Sequence, residues 1–187
     1  MAGERQDQRE GFSREAMTHL DHLYRVAFHL AKKKDEAEDL VQETYARALG
    51  SYAQFTLGTN MKAWLTRILY NHFFDDYHQK RRWVSVEDRA ERGEEELDYW
   101  GKVAAENPGP ESDVLHKELN VKITDALGRI PEEFRVPIIL VDMGDFTYGE
   151  AAEILSCPVG TVRSRLSRGR RLLHKHLRGY VGVKDEE

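Results

Sequence analysis

Apolar residues recur every three or four positions along most of the chain, a spacing that places them on one face of an α-helix. This pattern predicts a helix over Leu20–Ala31 and a second over Asp35–Leu49, where Asp35 and Glu38 have the spacing of a capping box. A third, longer helix is predicted over Asn60–Arg82. The first half of the chain is therefore expected to form a small helical bundle.

The same periodicity continues in the second half of the chain. Four helices are predicted there, over Val114–Gly128, Ile130–Asp142, Thr147–Leu155 and Val159–Leu177. Thr147 and Glu150 have the spacing of a further capping box. Pro137 is expected to kink the helix in which it lies. Because no useful stretch alternates apolar and polar residues as a strand does, the sequence predicts an all-α fold with two small helical domains.

The last two predicted helices have the spacing of a helix-turn-helix, with Ser156–Pro158 as the turn. Seven basic residues and no acidic residue lie between Val159 and Arg178, namely Arg163, Arg165, Arg168, Arg170, Arg171, Lys175 and Arg178. Residues near the start of such a second helix reach base edges in DNA, so the candidate readers are Arg163, Ser164, Ser167 and Arg168. Thr161 and the more distal bases are expected to bind phosphates. A solvated basic helix is the alternative, but it does not account for the capped helix and the turn that precede it.

Two helix faces in the first half of the chain carry candidate functional residues. One face of Asn60–Arg82 combines aromatic and basic side chains, a mixture that suits single-stranded nucleic acid: Lys62, Tyr70, Phe73, Tyr77, Lys80 and Arg81. The same spacing also fits rings that pack in a core. The predicted helix Asp35–Leu49 presents a polar face formed by Asp39, Gln42, Glu43 and Arg47, which is either a solvated face or a protein-docking surface. The pattern does not separate these alternatives.

Charge is distributed unevenly over the 187 residues, whose formal net charge is −5. Residues 87–113 contain ten acidic and three basic side chains, a net charge of −7, and near their end include Asn107-Pro108-Gly109-Pro110, which cannot continue a helix. We expect a disordered N-terminus over residues 1–11, a domain over 12–86, a flexible acidic linker over 87–112, a domain over 113–180 and a tail over 181–187. DNA binding by an acidic chain requires this kind of segregation.

Several classes of protein are disfavoured by the sequence. Cys157 is the single cysteine, so no internal disulfide can form. No stretch has the roughly 20 apolar residues of a membrane span, and the N-terminus does not resemble a signal peptide, so a soluble cytoplasmic protein without membrane insertion is expected. The sequence contains no metal cluster, nucleophile–base pair or phosphate-binding loop. We therefore expect no enzymatic activity, no metal and no cofactor.

Four stretches together resemble the extracytoplasmic-function (ECF) sigma factors of bacterial RNA polymerase. They are DEAEDLVQETYARAL, NMKAWLTRILYNHFFDDY, IPEEFRVPIILVDMGDFTYGEAAEIL and PVGTVRSRLSRGRRLL. The resemblance covers nearly the whole chain, in order. It implies a non-catalytic, dissociable subunit that directs core polymerase to −35/−10 promoters and nucleates promoter melting.

The resemblance also implies roles for individual residues. The partner is core polymerase, including its β subunit. The residues implied to dock on the coiled coil of its β′ subunit are Asp39, Gln42, Glu43 and Arg47. Contacts with single-stranded −10 DNA are implied for Tyr52, Phe55, Asn60, Lys62, Tyr70, Asn71, Phe73, Tyr77, Lys80 and Arg81. In that family the loop over Ser51–Thr59 captures a flipped base, for which Tyr52 and Phe55 would supply aromatic walls. Contacts with double-stranded −35 DNA are implied for Thr161, Arg163, Ser164, Arg165, Ser167, Arg168 and Arg171.

The family likeness further implies control by an anti-sigma factor in a stress response, and any zinc would belong to that partner. The acidic linker could then occupy the positively charged channel of polymerase. One departure from the family pattern is Gly149, where the family usually carries a larger residue. A self-standing helix-turn-helix regulator, binding a palindrome as a dimer without polymerase, is the main alternative function.

Overall fold

The structure is a computed structural model that describes residues 2–56, 58–83 and 121–181, with side chains described for residues 7–56, 58–75 and 121–178. Every regular element within these ranges is helical, which confirms the predicted all-α fold. The helices are α1 (Ala2–Met17), α2 (Leu20–Ala31), α3 (Lys34–Gly50), α4 (Met61–Trp83), α5 (121–128), α6 (Glu132–Ile138), α7 (Tyr148–Ile154) and α8 (Val159–Val181). A 3-10 turn over Tyr52–Gln54 and a π turn over Ile139–Met143 complete the elements.

Helix α1 occupies a stretch that the sequence predicted to be disordered. The helix begins at Ala2, whereas disorder was expected as far as residue 11. Its apolar residues form no continuous stripe, so periodicity gave no signal for it. Phe12 and Ala16 nevertheless enter the core, where they are 4% and 1% exposed.

Helices α1 to α4 form an N-terminal unit around large apolar side chains. Leu23 and Phe28 of α2 and Leu65 and Leu69 of α4 are fully buried, and each such side chain contributes about 1.5–3 kcal/mol through its burial. The predicted capping box at Asp35 is wrong. Helix α3 begins one residue earlier, and its N-cap, Lys33, makes no side-chain capping bond.

Helices α5 to α8 form a C-terminal unit in which α6 crosses α8 at short distance. The crossing point on α8 is Gly169, where an added Cβ would lie 2.5 Å from the carbonyl oxygen of Phe134. Helix α6 contains Pro137, and α-helical hydrogen bonding gives way at Ile139 to the π turn. A proline cannot donate the backbone bond of a regular helix, so an irregularity was expected here.

The two units pack against each other through one continuous apolar cluster. Side chains from α2, α3 and α4 share this cluster with the buried Ile139, Leu140 and Phe146 of the C-terminal unit. At its edge, the Lys32 Nζ donates a hydrogen bond of 3.0 Å to the carbonyl oxygen of Gly128, at the C-terminal end of α5. In the part of the chain that the structure describes, none of the helices is both long and apolar enough to span a membrane.

Candidate nucleic-acid and protein-binding surfaces

The helix-turn-helix begins with the capping box that the sequence predicted. The backbone N–H of Glu150 donates to Thr147 Oγ1 at 3.2 Å, and the backbone N–H of Thr147 donates to Glu150 Oε2 at 2.8 Å. The bond from the Thr147 backbone N–H, together with a bond of 2.8 Å that the Thr147 hydroxyl donates to the same Oε2, lowers the pKa of the Glu150 carboxyl. The charged carboxylate therefore stabilises the first turn of α7.

The turn between α7 and α8 is held by backbone hydrogen bonds and by burial. The N–H of Cys157 donates to the carbonyl oxygen of Ala152 at 3.0 Å, and Ser156 adopts a left-handed conformation with φ of 49°. Ala151 and Val162 are completely buried where the two helices meet. The orientation of α8 is therefore fixed relative to α7.

One side of α8 packs in the core and the opposite side faces solvent. The core side consists of Val162, Leu166 and Gly169. Five of the residues that the sequence predicted to contact −35 DNA are exposed on α8, namely Arg163, Ser164, Ser167, Arg168 and Arg171. The basic helix thus presents an accessible surface without an acidic residue of its own.

The flanks of α8 differ from this exposed surface. Arg165 is half-buried and lies on the side of Tyr70, a residue of α4 whose pKa is raised to about 12, mainly by burial, with Arg165 opposing that shift. Thr161 is also half-buried. Arg170, on the other flank, is held by Asp142: its Nε lies 3.0 Å from Oδ2, and Nη2 contacts Oδ1. The structure therefore places Arg165 and Arg170 less favourably for DNA than Arg168.

The polar face of α3 is accessible, as a docking surface requires. Asp39, Gln42 and Arg47 are exposed and Glu43 is half-buried. Arg47 Nε donates to Glu43 Oε1 at 2.7 Å, and this hydrogen bond lowers the pKa of the Glu43 carboxyl. Because Glu43 and Arg47 offset each other, Asp39 contributes the uncompensated negative charge on this face.

The aromatic residues expected to form a base pocket are packed among themselves. Phe55 is 8% exposed, and its ring centroid lies 5.8 Å from that of Phe12 and 5.3 Å from that of Trp64. Tyr52 is half-buried, 6.2 Å from Phe12. The structure places Phe55 in the core, so its expected role as an exposed wall requires a correction. The sequence did not predict this packing, because Phe12 was not among the residues expected to be buried.

Two residues expected to contact −10 DNA, Asn60 and Lys62, instead contact the C-terminal unit. Asn60 caps α4 by accepting a bond from the N–H of Ala63 at 3.0 Å, and its Nδ2 donates to Glu150 Oε1. The Lys62 Nζ donates to the carbonyl oxygen of Gly144 at 2.9 Å and lies 4.4 Å from the centroid of the Phe146 ring. The N-terminal end of α4 therefore contacts the other unit through the exposed Asn60 and the half-buried Lys62.

The remaining predicted residues of α4 are partly accessible. Asn71 is exposed, whereas Tyr70 and Phe73 are half-buried against the core. Phe74, which the sequence reasoning did not select, is 40% exposed, and its ring lies 5.9 Å from that of Tyr70. Its position beside Phe73 in an aromatic pair was the available signal. The side chains of Tyr77, Lys80 and Arg81 and the predicted linker over 87–112 lie outside the described residues.

Comparisons with known proteins identify the family. Residues 16–84 match the family Sigma-70 region 2, and residues 120–173 match Sigma-70, region 4. The ECF RNA polymerase sigma factor SigE of Mycolicibacterium smegmatis is 36% identical over 159 residues, which cover 85% of this chain but 58% of that protein. The chain thus spans little more than half the length of that relative.

Two further relatives are covered more completely. The ECF RNA polymerase sigma factor EcfG of Rhodopseudomonas palustris is 37% identical over 148 residues, covering 79% of this chain and 75% of that protein. The solved structure of the sigma factor RpoE from Bartonella quintana, in complex with the anti-sigma factor NepR, is 30% identical with a TM-score of 0.69, covering 90% of this chain and 98% of that one. The chain therefore belongs to the ECF RNA polymerase sigma factors.

Proposed function

We propose that this sigma factor brings core RNA polymerase to promoters by binding double-stranded −35 DNA with α8 and single-stranded −10 DNA with α4. In this proposal the chain is a non-catalytic subunit that nucleates strand separation. Docking on the β′ coiled coil is assigned to the polar face of α3, in particular to Asp39.

The observation that carries the proposal is the accessible, acid-free basic surface of α8. Cations on such a surface displace counterions from the DNA backbone, and arginines near the start of the helix can pair with the edge of guanine. The capped first turn of α7 and the buried elbow around Ala151 and Val162 hold α8 rigidly, as precise readout requires.

Regulation by an anti-sigma factor is a further part of the proposal. The related RpoE from Bartonella quintana was solved in complex with the anti-sigma factor NepR. We infer that a partner of this class also binds the present chain, in the cytoplasm and in response to stress. Any zinc in such a complex would belong to the partner.

In vitro transcription with purified core polymerase tests the central claim. We expect specific initiation only when chain and core are both present. Arg168→Ala should weaken initiation by about 1–3 kcal/mol at promoters whose −35 element supplies the base that Arg168 reads, and less at others. Arg129→Ala removes an exposed arginine that pairs with Asp125 and serves as a control for lost charge.

The outcomes separate the alternatives. An equal loss at every −35 sequence would make Arg168 a phosphate contact. Tight, specific binding of palindromic DNA by the chain without core polymerase would contradict the proposal and favour a self-standing regulator.

A further inference from the structure

A tyrosine at the start of α7 connects two arginines of the recognition helix α8. The guanidinium carbon of Arg163 lies 5.7 Å from the centroid of the Tyr148 ring, within the range of a cation–π contact. Arg170, which is bound by both carboxylate oxygens of Asp142, lies near enough to Tyr148 for the Tyr148 hydroxyl to help raise the pKa of its guanidinium, after the larger effect of Asp142. The contact of the Tyr148 ring with Arg163 therefore lies on the same side of α8 as the Arg170–Asp142 ion pair.

The position of Tyr148 is fixed by its surroundings. It is the first residue of α7, directly after Thr147, whose capping box holds the backbone of this turn. Its side chain is half-buried and packs against the apolar cluster around Leu166 and Ile138. Arg163, by contrast, is exposed. A fixed ring beside a flexible guanidinium restricts the flexible partner.

Restriction of Arg163 has a consequence for recognition. A long side chain loses conformational freedom when it pairs with a base, and an arginine already oriented in the free protein loses less. Arg163 lies four residues after the first residue of α8, where side chains of a recognition helix reach base edges. Arg168 lies about 140° further around the helix, on a side that faces away from Tyr148.

We propose that Tyr148 is a positioning residue that orients Arg163 for reading a base pair of the −35 element. This inference rests on the proposed function, because it presupposes that α8 reads −35 DNA.

A double-mutant cycle on the polymerase holoenzyme tests the proposal. Binding is measured on promoters that carry each single base-pair change in the −35 element, for wild type, Tyr148→Leu, Arg163→Ala and the double variant. We expect Tyr148→Leu to reduce discrimination about two- to fivefold, the range of an exposed cation–π contact, at the base pair whose discrimination Arg163→Ala abolishes. In the Arg163→Ala background, Tyr148→Leu should cause no further loss.

The matched control is the same cycle with Arg168→Ala, in which the effect of Tyr148→Leu should persist in full. Tyr148→Phe keeps the ring and should retain most of the discrimination, and it provides a second test if Tyr148→Leu proves unstable in thermal unfolding. Loss of discrimination in Tyr148→Phe equal to that in Arg163→Ala would overturn the ring contact as its cause.

Other results would overturn the inference in different ways. An equal loss from Tyr148→Leu at every −35 sequence, or one that persists in the Arg163→Ala background, would mean that Tyr148 acts without Arg163. If Arg163→Ala itself weakened all sequences equally, base reading by Arg163 would fail and the inference with it. The proposed function would still stand on Arg168 and on the requirement for core polymerase, so the two failures are distinguishable.

Discussion

Gly169 is the residue of α8 that allows this helix to pack closely against α6. Glycine in a helix costs about 1 kcal/mol relative to alanine. At this position a Cβ would lie 2.5 Å from the carbonyl oxygen of Phe134 and 2.9 Å from Cδ1 of Ile138. The backbone oxygen cannot move away as a flexible side chain could. The absence of a Cβ therefore allows α6 and α8 to cross closely.

Gly169→Ala should lower the free energy of unfolding by about 1–3 kcal/mol, because the methyl group forces the two helices apart. Gly149→Ala is the matched control. Gly149 is exposed, and its added Cβ would meet only Thr147 Oγ1, at 3.9 Å. This control should raise the free energy of unfolding by about 0.5–1 kcal/mol. Urea denaturation of both variants measures the two changes, and a change of the same sign in both would contradict the explanation.

At the scale of the element, two capping boxes with similar sequence signals had different outcomes. Thr147 and Glu150 form both expected bonds. Asp35 and Glu38 do not, because α3 begins at Lys34, so that Asp35 lies inside the first turn. The sequence pattern identified both helices but not the exact start of α3, which depends on how the preceding loop packs.

Helix α1 marks another limit of sequence reasoning. Most residues of α1 are polar, so the sequence pattern does not reveal the few that are buried. Phe12 is buried because its ring packs against the rings of Tyr52, Phe55 and Trp64. These partners are 40 or more residues away in the chain. A local pattern cannot report such a contact, whereas the exposed basic face of α8 follows directly from local periodicity.

Asp39 on the polar face of α3 is the residue with which we test docking on polymerase. Asp39→Arg should abolish co-purification with core polymerase, since it replaces the uncompensated negative charge of the polar face with a positive one. The fold should persist, because Asp39 is exposed and an exposed charge contributes little to stability. Circular dichroism and thermal unfolding check the fold, and Glu15→Arg, an exposed reversal on α1, is the control for net charge. Retained binding of Asp39→Arg to core polymerase would refute the assignment of this surface.

At the scale of the whole molecule, the contact between the two units conflicts with the proposed DNA contacts of α4. The exposed Asn60 binds Glu150 and the half-buried Lys62 binds the carbonyl oxygen of Gly144, so each would give up a hydrogen bond in order to contact −10 DNA. Binding of −10 DNA by these residues therefore requires these two hydrogen bonds between the units to break. The sequence identified both residues as polar candidates, but their partners, more than 80 residues away, could be identified only from the structure.

Two histidines of α2 lie where the N-terminal and C-terminal units pack against each other. The His22 ring packs edge-on against Phe146, with centroids 5.3 Å apart, and His29 lines a cavity of about 260 Å³ together with Ile139 and Met143. Burial, assisted by nearby cations, lowers the pKa of each imidazole from 6.5 to about 4. The cations are Lys62, Arg25 and His19 for His22, opposed by Asp145, and Arg25 for His29.

These pKa values predict how stability depends on pH. Well above pH 6.5 both imidazoles are neutral in the folded and unfolded chains, so their packing contributes in full. Below that pH the unfolded chain takes up protons that the folded chain resists, so stability falls progressively until about pH 4. Between pH 7.5 and pH 5 the loss should approach about 2 kcal/mol for the buried His29 and should be smaller for His22, which is only half-buried and better screened by solvent. Urea denaturation at a series of pH values measures it.

Two variants test whether this loss of stability arises where the two units pack against each other. His22→Phe keeps a ring against Phe146 but cannot be protonated, so its stability should fall less steeply between pH 6.5 and pH 5 than that of the wild type. His174→Gln removes an exposed histidine of α8 and should leave the slope unchanged. If His22→Phe retained the full slope, His22 would not be a source of the pH dependence. A reduced slope would show that acid weakens the packing of His22 on Phe146, the same ring that Lys62 contacts from α4.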